Sequence, residues 1–181
     1  MSGILYGVGL GPGDPDLITV KSSRLISQAR VIAYPSLAGG ESFARSIAAD
    51  LISPDAEEIV MDVPMTVERA PAQAAYDIGA KNIAAVLDRG EDVVCLCEGD
   101  PFFYGSFMYL YARLAADYQV EVVPGVTSIT TCAARAGMPL AARNERLTVL
   151  PGPLPAEELP ARIEGAESVA RLLNTSDAAA Q

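Results

Sequence analysis

A chain of 181 residues, half of them apolar, has material for one ordinary domain, or for one domain and part of another. Its 13 Lys and Arg against 23 Asp and Glu leave a formal net charge of −10, which speaks against nucleic acid, because phosphate contacts need clustered cations. With no histidine at all, a Ser-His triad, a Cys-His pair and every imidazole metal site are excluded.

The cysteines are Cys95, Cys97 and Cys132. Their number is odd, and the first two alternate along a predicted strand. Structural thiols of a reducing compartment are expected, and a zinc site lacks a fourth ligand. No basic segment followed by an apolar core opens the chain, and no apolar run nears the ~20 residues that span a bilayer. A cytoplasmic protein with no membrane partner is the expectation.

In chain order, residues 4–9 read as a buried strand that ends in Gly11-Pro12-Gly13-Asp14-Pro15. Asp14 or Asp16 suits the cap of a following helix with Pro15 in its first turn. Ile18, Leu25 and Ala29 would share one face of that helix. Residues 31–34 form a second strand stopped by Pro35, and Gly39-Gly40 makes a loop. Ser42 caps a helix to about Asp50, and residues 58–62 are a weaker strand. Residues 64–70 connect to a long helix that starts at Pro71 and runs to about Arg89. Gly90 ends it in a left-handed cap.

Residues 93–97, Val-Val-Cys-Leu-Cys, read as a central strand buried on both faces. It breaks at Glu98-Gly99-Asp100-Pro101. Residues 107–116 are an amphipathic helix, 120–123 a strand, and Pro124-Gly125-Val126-Thr127-Ser128 a turn into a helix over 128–136. Strand, glycine turn and helix thus recur, as in an α/β domain with a mostly parallel sheet flanked by helices. Residues 138–145 read as a linker, 146–150 as one strand and 157–163 as a helical turn or two. The tail from Gly165 shows only the small apolar cluster Leu172-Leu173. The expected division is an N-terminal lobe over 1–138 and the start of an incomplete second α/β lobe over 139–181.

The glycines at 7, 9, 11 and 13 do not fit the G-x-G-x-x-G dinucleotide fingerprint, and no Gly-Lys-Ser/Thr follows for a P-loop. Taken singly, the first glycine loop is as well explained as a tight turn without a ligand, and Glu98-Gly99-Asp100-Pro101 is better explained as a plain strand-to-helix turn. Asp100, Thr127 and Ser128 suit plain helix caps, and Phe102, Phe103 and Tyr104 suit the core. Taken as a set, the three turns lie at the carboxyl ends of strands, where open α/β sheets bind ligands.

The set also resembles the tetrapyrrole methylases. That family carries a Gly-Pro-Gly-Asp-Pro loop after the first strand, a Gly-Asp-Pro turn in mid-domain and a Pro-Gly-x-Thr/Ser-Ser/Ala turn after it, over roughly residues 3–150 here. The stretches Cys97-Glu98-Gly99-Asp100-Pro101-Phe102-Phe103-Tyr104-Gly105-Ser106 and Pro64-Met65-Thr66-Val67-Glu68-Arg69-Ala70-Pro71 look most like the branch that methylates C20 of precorrin-2 on the way to vitamin B12. The resemblance implies an S-adenosylmethionine-dependent C-methyltransferase, usually a homodimer, with a precorrin-2-type tetrapyrrole as substrate. A cobalt-bearing substrate of the anaerobic route is one alternative, and a truncated relative that only dimerises or binds tetrapyrrole is another.

By position, the resemblance implies that Pro12 borders the cofactor and that Glu98, Gly99 and Asp100 hold its methionine end largely through main chain. Phe103 would pack near it, and Thr127 and Ser128 would contact it from the third turn. The tetrapyrrole would sit beside Asp14. The sulfonium is already electrophilic and the reduced macrocycle supplies a carbon nucleophile, so no metal held by the protein is expected. Asp14 and Tyr104 are the candidates for proton removal, beside their plainer roles as a cap and a packed aromatic. The resemblance also implies a second lobe of several strands, whereas this chain reaches only its first predicted strand. The segment after about Ala170 does not look like a continuation of the family pattern, as in a fragment of a longer enzyme or a degenerate copy.

Overall fold

The computed structural model describes residues 2–37, 40–64 and 69–172. Gly39 of the expected loop, residues 65–68 of the connecting segment, and Leu173 lie outside the described residues. The chain divides into two compact units, Met1–Thr127 and Ser128–Gln181.

The first unit is a five-stranded sheet. Strands β1 (Ile4–Gly9), β2 (Val31–Ser36), β3 (Glu57–Asp62), β4 (Val93–Cys97) and β5 (Gln119–Val123) are ordered β3-β2-β4-β1-β5, and every ladder is parallel. Helices α1 (Val20–Gln28) and α2 (Phe43–Ile47) follow β1 and β2, whereas α3 (Arg69–Asp88) and α4 (Phe107–Leu114) follow β3 and β4.

Alternation along the strands divides the core. Leu5, Val93, Cys95 and Cys97 pack with Tyr76, Ile83 and Leu87 of α3 and with Phe107, Leu110 and Leu114 of α4. Val8, Ile32, Val94 and Leu96 pack with Ile26 of α1 and Ala44 and Ile47 of α2. All five residues of β4 are buried, as a central parallel strand covered on both faces requires. Burial pushes the Cys97 thiol well up, so it behaves as a small apolar side chain. Cys132 is exposed on α5 (Ser128–Ala136), so the structural-thiol expectation applies to Cys95 and Cys97 alone.

Three local expectations are corrected. Asp14 does not start the first long helix. It caps a short 3-10 turn, Pro15–Leu17, by accepting from the Asp16 N–H at 3.1 Å. The helix starts anew after Thr19, whose hydroxyl accepts from the Ser22 N–H, and Ile18 is extended between the two. Pro35 does not stop β2, which continues to Ser36. The ladder to β4 uses only Ile32 and Ala33, so beyond them that side is an edge where a missing N–H costs no bond. The long helix α3 begins at Arg69, before Pro71, which sits in its first turn.

The second unit holds α5, strands β6 (Leu147–Leu150) and β7 (Ser168–Arg171) in a parallel pair, and between them a 3-10 turn and α6 (Leu159–Ile163). Strand β7 was not expected. Four residues that alternate between half-buried and exposed, and end in Arg171, give little apolar signal.

Candidate functional site

Strands β4, β1 and β5 are neighbours, so their carboxyl ends and the turns that follow come together at one sheet edge. The first two turns are joined by main chain. The Gly11 N–H donates to the Gly99 carbonyl at 3.2 Å, and the Gly99 N–H donates to the Gly11 carbonyl at 2.8 Å. The Leu10 N–H reaches the Cys97 carbonyl at 2.9 Å.

The second and third turns are joined by one carboxylate. Asp100 Oδ1 accepts from the N–H groups of Phe102 at 2.9 Å and Phe103 at 3.1 Å, whereas Oδ2 accepts from the Gly125 N–H at 3.1 Å. Charged acceptors make the stronger hydrogen bonds. With both oxygens committed to backbone, Asp100 acts on neighbouring groups through the shape of its turn.

The glycines have separate tasks that their even spacing does not reveal. Gly7 lies within β1, where a Cβ would fall 2.3 Å from the Phe107 ring. Gly9 lets the third turn approach, since a Cβ there would lie 2.5 Å from the Gly125 nitrogen. A Cβ on Gly125 would lie 2.0 Å from the Gly99 carbonyl oxygen. Gly11 and Gly99 have φ of 78° and 61°, a region in which residues with a Cβ are strained. Sequence reasoning read these glycines as turn formers only. The requirement for contact among Gly9, Gly99 and Gly125 is set by strand order, which no local motif carries.

The other expected residues of the first unit lie on the same edge. Pro12 is half-buried and Glu98 is exposed at the end of β4. Enough protein still surrounds the Glu98 carboxyl for desolvation to raise its pKa above the ordinary value. Phe103 and Tyr104 meet edge to face with ring centroids 5.2 Å apart, and both are exposed. Tyr104 holds φ at 55°, which is strained for a bulky residue. Thr127 is half-buried, and Ser128 is the first residue of α5 and of the second unit. Phe43, which sequence reasoning did not single out, is 55% exposed, and its ring borders Gly13, where an added Cβ would lie 3.1 Å from Cζ.

The residues of this edge include polar side chains, Glu98 and Thr127, and the exposed rings of Phe103 and Tyr104. Nothing lies within 4 Å of the place where a Cβ on Gly99 would stand, so the second turn presents bare backbone to open space. Glu98 and Asp100 are the neighbours of Gly99 in the chain, and Gly125 approaches the Gly99 carbonyl oxygen from the third turn. Among the described residues, no group of three or more His, Cys, Asp or Glu could hold a metal ion.

The family model of the Tetrapyrrole (Corrin/Porphyrin) Methylases matches residues 4–180. The chain belongs to this family. The match corrects the expectation about the segment after Ala170, which falls inside the family pattern. A precorrin-2 C(20)-methyltransferase of Sinorhizobium sp is 41% identical over 180 residues, 93% of this chain and 74% of that protein. Cobalamin biosynthesis protein CobIJ of Mycobacterium tuberculosis (strain ATCC 25618 / H37Rv) is 43% identical over 174 residues. The chain spans 34% of the length of that mycobacterial relative. Among solved structures, uroporphyrin-III C-methyl transferase from Thermus thermophilus, complexed with S-adenyl homocysteine, matches with a TM-score of 0.67 at 25% identity, covering 97% of this chain and 72% of that one.

Proposed function

We propose that this chain carries the S-adenosylmethionine site of a C-methyltransferase that acts at C20 of precorrin-2 in cobalamin biosynthesis. The observation that carries the reading is the 41% identity, over 93% of the chain, to a relative of that name. The joined turns at the ends of β1, β4 and β5 supply the physical support, because they offer backbone and open space where α/β sheets bind ligands.

On this reading Pro12 borders the cofactor, and Glu98, Gly99 and Asp100 hold its methionine end through main chain. Phe103 packs beside it, and Thr127 and Ser128 contact it from the third turn. When bound, the cofactor supplies an electrophilic methyl group. The protein's part is to align that group with the tetrapyrrole carbon and to keep water away. Asp14 and Tyr104 are offered as the residues that help remove the proton lost from that carbon, Asp14 by accepting it at a carboxylate oxygen and Tyr104 by relaying it, its hydroxyl passing its own proton on as it takes the new one. The protein holds no metal for this step, acts in the cytoplasm and works as a homodimer without nucleic acid or membrane. Its first lobe is taken as residues 1–138, and residues 139–181 open the second.

Calorimetry with S-adenosylhomocysteine tests the reading on the wild-type chain and on Asp100→Ala and Thr127→Ala. Micromolar binding weakened by both changes is expected. A folded wild-type chain that does not bind overturns the methyltransferase reading for this chain and leaves a non-catalytic relative. Turnover with metal-free against cobalt-bearing precorrin-2 then assigns the substrate, with the metal-free form expected to be methylated.

A further inference from the structure

The amino ends of the strands, away from the three turns, border a cavity of about 410 Å³. That lies within the ~300–1,000 Å³ of small-molecule sites. Helix α1 ends at Gln28, and the chain passes through Arg30 into β2. Helix α3 ends at Asp88, and Gly90, with φ of 81°, turns the chain toward β4. Both connections line the cavity, and Tyr6, Leu25 and Val94 give it ring and aliphatic surface. Tyr6 and Val94 are register partners of the β1–β4 ladder.

Two opposite charges line this cavity without meeting each other. The β2–β4 ladder begins at Ile32 and Val94, so Arg30 and Asp92, each two residues earlier, are neighbours in the same register. No ion pair joins them among the described residues. Each is anchored by another atom. The Arg30 carbonyl accepts the Glu57 N–H at 2.8 Å, and Asp92 Oδ1 accepts the Ile4 N–H at 2.7 Å. The Arg30 guanidinium and Asp92 Oδ2 keep their hydrogen-bonding capacity. Glu91, also on the lining, is already paired with Arg89 at 3.0 Å.

These charges select the ligand. Burial first, and then the carboxylates of Asp92 and Glu121, raise the pKa of Tyr6, so the surroundings of its hydroxyl disfavour a bare anion. A bare cation leaves Arg30 without a partner. A molecule that carries both charges close together answers both residues, and an apolar substituent uses the surface of Tyr6, Leu25 and Val94. We propose that this cavity binds a free α-amino acid with an apolar side chain, its carboxylate on Arg30 and its ammonium on Asp92. The proposal goes beyond the methyltransferase reading and does not rest on it.

Amide spectra of the isotope-labelled chain by nuclear magnetic resonance, titrated with L-leucine as the probe, test the proposal. Signals of residues 28–30 and 90–92 are expected to shift at millimolar concentrations or below. Isoamylamine, which lacks the carboxylate, and isocaproate, which lacks the ammonium, should bind at least ~tenfold more weakly. Arg30→Gln and Asp92→Asn should weaken L-leucine binding to the same degree, and Lys81→Gln, at an exposed cation of α3, should not. If Asp92→Asn fails to fold by circular dichroism, Arg30→Gln decides. S-adenosylhomocysteine also ends in an amino acid, so its calorimetry is repeated on Arg30→Gln, where unchanged affinity is expected. An absent shift with L-leucine, a shift that the variants leave intact, equal binding of the analogues, or a loss of S-adenosylhomocysteine affinity in Arg30→Gln overturns the proposal. The L-leucine titration does not use the turns of the carboxyl edge, so its failure is distinct from failure of the methyltransferase reading.

Discussion

The carboxylate of Asp100 accepts the N–H of Gly125 at 3.1 Å and so ties the turn after β4 to the turn after β5. Its other oxygen closes the Asp100 turn on the N–H groups of Phe102 and Phe103. Asp100→Ala removes the side-chain acceptor of Phe102, Phe103 and Gly125, and of these Phe103 keeps the Asp100 backbone carbonyl at 3.4 Å. A loss of about 1.5–3 kcal/mol in folding stability is expected, from the usual worth of hydrogen bonds to a charged group. Asp100→Asn keeps one acceptor and should lose less. Denaturant unfolding of the two variants gives the order, and equal losses would remove the two-sided role.

The three contact glycines should differ in kind. Gly125→Ala drives a Cβ to within 2.0 Å of the Gly99 carbonyl oxygen, and backbone cannot swing aside as a side-chain tip can. It should cost about 2–4 kcal/mol or prevent folding. Gly99→Ala meets no atom within 4 Å and suffers only its φ of 61°, a cost of about 1 kcal/mol. The methyl group would fill the open space against the second turn. A chain that folds yet binds S-adenosylhomocysteine at least ~tenfold more weakly is therefore expected, and unchanged affinity would put the ligand elsewhere.

A cluster made by other residues than those of the turns sets an acid response. Arg45 holds Glu58 through both oxygens, at 2.7 and 2.8 Å, and the Tyr34 hydroxyl donates to the same carboxylate. The Arg45 guanidinium lowers the Glu58 pKa from the ordinary 4.5 to about 2. A lowered folded-state pKa contributes stability that is present above pH 4.5 and lost as pH falls through 2. Arg45 is 43% exposed, so the contribution is about 1 kcal/mol at most. Arg45→Met should therefore be less stable than wild type near neutrality, and the gap should close between pH 4.5 and 2. A gap that persists below that window would assign the effect to lost packing.

Asp14→Asn and Tyr104→Phe test the proton acceptors. Asn keeps a cap for the Pro15–Leu17 turn, so stability should hold. If either group takes the proton, its variant should lose kcat by ~100-fold with little change in KM. Tyr104→Gly supplies a third reading. It relieves a φ of 55° and should raise stability by about 1 kcal/mol, while removing the exposed ring from the site.

The order of elements was legible because buried parallel strands are short apolar runs and their turns carry Gly and Pro. The candidate edge was legible for the same reason, since strand ends can be located without knowing which strands are neighbours. The ties across that edge were not legible. Asp100 finds its partner 25 residues away, and only the order β4-β1-β5 brings the two together. Local chemistry misled where two signals compete. Asp14 and Thr19 both suit a cap, and both serve as one, for different turns. Pro35 reads as a stop, and an unpaired edge removes its penalty.

The third turn follows β5, which among the described residues is an edge strand paired with β1 alone, from the far end of the same unit. Closing so long a loop is a slow, entropically costly event, and it must occur before the turns can meet. Ligand affinity therefore reports on the docking of that edge as well as on the turns themselves. Fraying of β5 would silence the site while β2 and β4 keep the rest of the core intact.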